Sequence, residues 1–266
     1  MRTNNFVEED LKHYWEKRGE GSIKYCNDTF YTVTPIPYYY ERRKRLLFYL
    51  NELINKEEPL DILYFGCGDG FYSFYIKKCQ PQHQIFACDI SKTMINRSID
   101  QIKQSDEKIT FEVSNGLIPY NKKFDLIICI AVIAHILEEN QINNVIQDFR
   151  DHLQNEGKIF IFEATAKTPR SGKTWVRRTN EDYIHLFLKN GVELIKKELI
   201  FFPFFTKLDK SILKFLRKYL YKGNGLLANK SILYRLVCQI FLHISFIVDR
   251  FLIPTEGNTV FIFKKG

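Results

Sequence analysis

The sequence predicts an α/β fold, a sheet of seven strands covered by helices on both faces. Seven short runs rich in β-branched and aromatic residues alternate with longer helical stretches. Those runs are apolar almost throughout, as strands buried on both faces must be. A glycine-rich turn follows the first of them, the place where open parallel sheets take their ligands.

The elements follow in order. Residues 1–58 form a helical, aromatic cap, with Trp15, Tyr38 and Tyr39 as candidate walls of a pocket and a helix at Tyr40–Ile54. The sheet then takes strands at Leu60–Phe65, Gln84–Cys88, Ile109–Val113, Phe124–Ile130, Lys158–Glu163 and Val192–Phe201, and closes with Thr259–Lys264. Helices at Phe71–Lys78, Lys92–Gln104, Glu139–His152 and Asn180–Lys189 lie between them. The sheet domain covers 59–202 and 258–266, and residues 203–257 are inserted before the last strand as a helical lid. Gly223-Asn224-Gly225 reads as a turn dividing that lid into two helices.

Composition narrows the function. The chain has 266 residues, with 39 Lys+Arg against 31 Asp+Glu. Residues 1–200 hold 28 charges of each sign, whereas 201–266 hold 11 basic and 3 acidic residues. A basic face confined to one stretch speaks against a nucleic-acid partner. The six cysteines form no C-x-x-C pair, so neither a zinc site nor a disulfide scaffold is expected, and reduced thiols fit a cytoplasmic setting. Residues 1–10 are polar, so no signal peptide is expected. The 206–222 helix alternates lysines with apolar residues, which gives peripheral membrane contact as an alternative to a plain lid. The segment Ile232–Leu252 is apolar almost all round and reads as a buried lid helix. Oligomeric state is unknown.

The turn reads Phe65-Gly66-Cys67-Gly68-Asp69-Gly70, and Asp89 ends the next strand nineteen residues beyond Gly70. Glycines let the backbone approach a ligand, and a carboxylate at Asp89 can accept both hydroxyls of a ribose. A dinucleotide fingerprint needs a small residue where Phe71 stands. The Gly-x-Gly-x-Gly pattern instead resembles the class I S-adenosylmethionine-dependent methyltransferases. Asp89-Ile90-Ser91 resembles that family's second motif, Ser114-Asn115-Gly116 its adenine-contact stretch, Phe124–Ile136 its fourth-strand motif and Leu153–Ile161 its passage into the fifth strand.

The resemblance implies a Rossmann-like methyltransferase sheet. It also implies S-adenosylmethionine as cofactor, with S-adenosylhomocysteine as product. Its binding residues would be Phe65, Gly66, Cys67, Gly68, Gly70, Asp89, Ile90, Ser114, Asn115, Gly116 and Ile130. Two departures stand out: Tyr64 replaces the acid that orients the loop, and Ser114 or Asn115 stands for the adenine-contact Asp.

His135 follows the fourth strand and is either a general base or, as the resemblance implies, a residue that starts the following helix. Glu163, at the end of the fifth strand, either contacts the acceptor or caps the loop. Metal dependence is disfavoured because Ala131 and Ala134 stand where metal-binding relatives carry acids. Gly172-Lys173-Thr174 ends like a phosphate-binding loop, but Lys167 occupies the place of its first glycine. What remains is a basic loop, Ala164–Arg178, in which Trp175 is a further wall candidate. Arg177 or Arg178 can grip a phosphate or carboxylate. Tyr183 completes the candidate wall.

The expected activity is methyl transfer to a small-molecule acceptor, at an oxygen of a sugar, nucleotide-linked or phosphate- or carboxylate-bearing metabolite. The alternatives are N-methylation of an amine or peptide, and a catalytically silent regulatory protein that binds the cofactor.

Overall fold

The computed structural model describes residues 12–16, 36–103, 108–200, 204, 209–222, 228, 231–249, 251 and 257–266. Helix α1 spans Ile36–Ile54. The chain then alternates through β1 (Asp61–Phe65), α2 (Phe71–Cys79), β2 (Gln84–Asp89), α3 (Lys92–Ile102), β3 (Ile109–Val113) and β4 (Phe124–Ile130). A 3-10 turn at Ile133–His135 leads into α4 (Glu139–Asp151) and β5 (Leu153–Ala164). A two-stranded hairpin, β6 (Arg170–Gly172) and β7 (Trp175–Arg177), precedes α5 (Asn180–Leu188) and β8 (Val192–Leu199). After a π-helical turn at Asp209–Leu213 come α6 (Lys214–Leu220), α7 (Ile232–Asp249) and β9 (Asn258–Lys265).

The sheet has the order β3-β2-β1-β4-β5-β9-β8. Strands β1 to β5 are parallel, and β9 runs antiparallel between β5 and β8. The expected seven-stranded sheet is therefore present. Chain order reverses between β1 and β4, which makes the carboxyl ends of those two strands the switch point.

Burial on both faces explains the continuous apolar runs. Leu63 and Phe65 point into one core with Ile127, Ile161, Phe149 of α4 and Phe187 of α5. The intervening Ile62 and Tyr64 point into the other, with Ile128 and Phe162. Phe187 stacks on Phe263 at 4.1 Å between centroids, which ties α5 to the last strand.

Local chemistry fixes the helix starts. The Ser91 hydroxyl accepts from Met94 N at the head of α3. Thr179 and Asp182 form a reciprocal capping box at the head of α5.

Two expectations change. Leu46, Leu50 and Ile54 of α1 are buried in the second core, so α1 covers the sheet beside α2 and α3 instead of forming a cap outside it. Helix α7 packs on α1 by one face, but Leu233, Leu236, Ile240, Ile244 and Ile247 stay exposed, so it is not a buried lid helix. Its apolar positions extend around more of the helix than one contact face can cover.

Candidate functional site

The loop after β1 is built on three left-handed glycines, Gly66 (φ 69°), Gly68 (φ 55°) and Gly70 (φ 75°). Their surroundings separate their roles. A Cβ on Gly66 would fall 2.3 Å from Val132 Cγ2, so this glycine lets the β1 loop meet the segment after β4. A Cβ on Gly70 would meet Phe74, Ser98 and Phe111 at 3.0–3.2 Å. At Gly68 nothing lies within 4 Å, although any side chain there would still be strained. Two glycines serve packing, and the one between them faces open space.

Asp89 holds that loop in place. Its Oδ2 accepts Gly68 N at 2.8 Å and its Oδ1 accepts Ser91 N at 2.9 Å. Burial pushes this carboxyl above its usual range, and the two amide bonds oppose the rise. Each oxygen keeps a second lone pair for a ligand hydroxyl. The Phe65 ring turns into the core against Phe149, leaving only backbone for a ligand, and Cys67 is buried. Ile90 and Ile130 are half-buried at the ends of their strands.

The next loop places Ser114 and Asn115 in different surroundings. Ser114 is buried, and its hydroxyl accepts Gly116 N at 2.9 Å and donates to Leu117 O at 2.6 Å. That hydroxyl shapes the turn. Asn115 is exposed, with its Oδ1 accepting Leu117 N at 3.2 Å. Gly116 (φ 103°) also faces open space.

The third side of the site is the turn after β4. Ala131 has φ 56°, an unusual strain for a residue with a Cβ. His135 Nδ1 lies 2.6 Å from Thr174 O in the β6–β7 turn. A carbonyl only accepts, so Nδ1 carries the proton and Nε2 the lone pair.

Glu163 lies beneath this turn. It is 1% exposed, and its Oε1 accepts Ile133 N at 2.7 Å and Ala134 N at 3.3 Å. Arg178 donates to the carbonyls of Ile133 and Ile136 at 3.5 and 3.2 Å. Both side chains clamp the turn that carries His135. In this placement Glu163 caps the turn through Oε1, with Oε2 buried and unpartnered, and Arg178 bonds the turn's carbonyls. Tyr183 is corrected: it is fully buried against Phe261 and lines no open wall.

Burial raises the Glu163 carboxyl from 4.5 to about 7, against the lowering effect of the amide bonds and Arg178. The native state therefore keeps a proton that the unfolded chain releases at lower pH. The stability this gives is complete below pH 4.5 and is lost as pH rises to about 7, by about 3 kcal/mol for the shift. Glu163→Gln, which keeps one acceptor oxygen, should flatten that slope in thermal midpoints measured across this range. An unchanged slope would place the titration elsewhere.

Among the wall candidates, Trp15 packs edge-on against His135 at 4.8 Å between centroids. Trp175 is half-buried in β7, and the exposed Arg177 guanidinium lies 5.2 Å from its ring. Tyr38 and Tyr39 belong to α1, but their side chains lie outside the described residues.

One residue escaped the sequence reading. Glu16 accepts Lys92 N at 2.7 Å and both Thr93 N and Ser91 Oγ at 3.1 Å, at the head of α3. Burial raises its carboxyl, but these bonds outweigh it and hold the group below its usual value. Residues 12–16 thus bridge the ends of β2, through Glu16, and β4, through Trp15 on His135. Among the described residues, no three His, Cys, Asp or Glu side chains cluster as a metal site would require.

Residues 63–159 match the model of a methyltransferase domain family. The malonyl-[acyl-carrier protein] O-methyltransferase of Bacillus cereus is 28% identical over 118 residues, 44% of this chain and 42% of that protein. The match thus spans less than half of that curated relative. The O-methyltransferase of the trans-AT PKS multienzyme of Brevibacillus brevis, solved with S-adenosyl-L-homocysteine, has a TM-score of 0.56 and 16% identity. That likeness covers 89% of this chain and 79% of the other. The [4+2]-cyclase SpnF also has a TM-score of 0.56, at 14% identity over 84% of this chain and 80% of its own. These structural likenesses are likenesses of fold.

Proposed function

We propose that the chain methylates a hydroxyl oxygen of a small-molecule acceptor bearing a phosphate or carboxylate, a reading supported by the match of residues 63–159 to the methyltransferase domain family. S-adenosylmethionine would supply an electrophilic methyl group. The residues present fit that donor: open space faces Gly68 and Gly116, and Asp89 keeps acceptor capacity for a ribose. The Brevibacillus relative, solved with S-adenosyl-L-homocysteine, supports the same cofactor. Asn115 would take the adenine edge and Ile90 pack against its face.

The observation that carries the oxygen assignment is the His135 bond to Thr174 O. It leaves Nε2 as the basic atom, suited to take the proton of an acceptor hydroxyl. Glu163 and Arg178 hold the turn, so the imidazole keeps its position while it works. The exposed Arg170, Lys173 and Arg177 of the hairpin would bind an acidic group on the acceptor.

The name of the Bacillus relative favours one second reading, methylation of a carboxylate. A carboxylate is already ionised at neutral pH and needs no base. Methyl-labelled donor offered to a panel of hydroxy acids separates the two. Label in an alkali-stable ether supports the hydroxyl reading, and label in an alkali-labile ester supports the second. Label on no acceptor, despite donor binding, would favour a silent cofactor-binding protein.

A further inference from the structure

The stretch between β8 and β9 exposes large apolar side chains in an ordered pattern. On α7, Leu233, Leu236, Ile240, Ile244 and Ile247 recur at helical spacing and are 41–64% exposed. Tyr234, Cys238 and Leu242 are buried in a small core with Leu213. The polar positions Arg235, Gln239 and His243 occupy a third arc of the helix. The stripe is therefore distinct from both the packed face and the hydrophilic one. On α6, Phe215, Tyr219 and Leu220 are also exposed, interleaved with the exposed Lys214 and Lys218, and Lys222 follows.

We propose that this surface docks on an anionic lipid bilayer, with α7 lying in the headgroup layer. Charge selects the occupant. Residues 203–257 hold nine Lys/Arg and three Asp/Glu. A second copy would bring the same excess of lysines against itself, whereas acidic headgroups complement them. An 18-residue helix is about 27 Å long, enough to lie along an interface. No described helix is long and apolar enough to cross a membrane. Leu199 pairs with Thr259, and Thr259 with Glu163, so this stretch leaves and rejoins the sheet at the edge that carries the site. The inference is independent of the acceptor assigned above.

The test is co-sedimentation of the full chain with vesicles of phosphatidylcholine, alone or mixed with phosphatidylglycerol. Partitioning should be at least about tenfold stronger on the mixed vesicles and should fall with added salt. The double variant Leu236→Glu/Ile240→Glu should lose about tenfold or more, with its thermal midpoint unchanged. Lys214→Glu and Lys218→Glu should each cost about fivefold. Equal partitioning on both vesicles, or no effect of either set, would overturn the proposal. So would a dimer, seen by ultracentrifugation, that the α7 substitutions dissociate without any vesicle binding by the parent.

Discussion

Asp89→Ala is expected to weaken binding of S-adenosylhomocysteine by about 100-fold in calorimetry. The carboxylate would lose its bonds to the ligand ribose, each charge-assisted and worth about 1.5–3 kcal/mol. It would also lose its grip on Gly68 N, the amide that sets the loop. Gly68→Arg should abolish binding outright, because its side chain enters the open space that the glycine faces. Gly68→Arg should keep the fold at the cost of local backbone strain, since no packed neighbour lies within 4 Å of that Cβ. Gly66→Ala provides the contrast. Its Cβ collides with Val132, so it should lower the thermal midpoint itself. Unaltered affinity in both Asp89→Ala and Gly68→Arg would rule out the nucleoside site.

His135→Ala should reduce turnover on a hydroxyl acceptor by about 10² to 10⁴-fold, the usual range for a lost general base. Affinity for S-adenosylhomocysteine should stay within about twofold, because Asp89 and the glycine loop lie on other strands. His135→Gln controls for shape, since it fills the site without a basic nitrogen in the neutral range. Turnover that survives both substitutions would remove the base role and shift the reading to an acceptor that is already a nucleophile.

The parallel strands were legible because burial on two faces leaves no polar alternation, and β3 and β4 match the expected spans residue for residue. The loop motifs and Asp89 were legible because backbone approach restricts the residue types allowed there. Other features depend on distant partners. Strand β5 begins at Leu153, five residues before its expected start, because polar Gln154–Gly157 continue the ladder through an irregularity opposite Phe124. The β6–β7 hairpin carries no apolar alternation to reveal it. Glu163 could be read as a ligand group or as a cap, and the cap shows only in its bonds to Ile133 and Ala134. Glu16 finds its partners some 75 residues away, a pairing that no local pattern encodes.

The antiparallel register of β8 and β9 bears on how such a chain can diversify. The two strands pair from Val192 with Lys265 to Leu199 with Thr259. Closing a longer excursion between fixed ends costs little entropy, about 0.6 kcal/mol for each doubling of length. Changing the parts of that excursion that do not pack on α1 would thus disturb the sheet's energetics little, while remodelling whatever approaches the carboxyl ends of its strands. New acceptors could be recruited there without rebuilding the donor cradle.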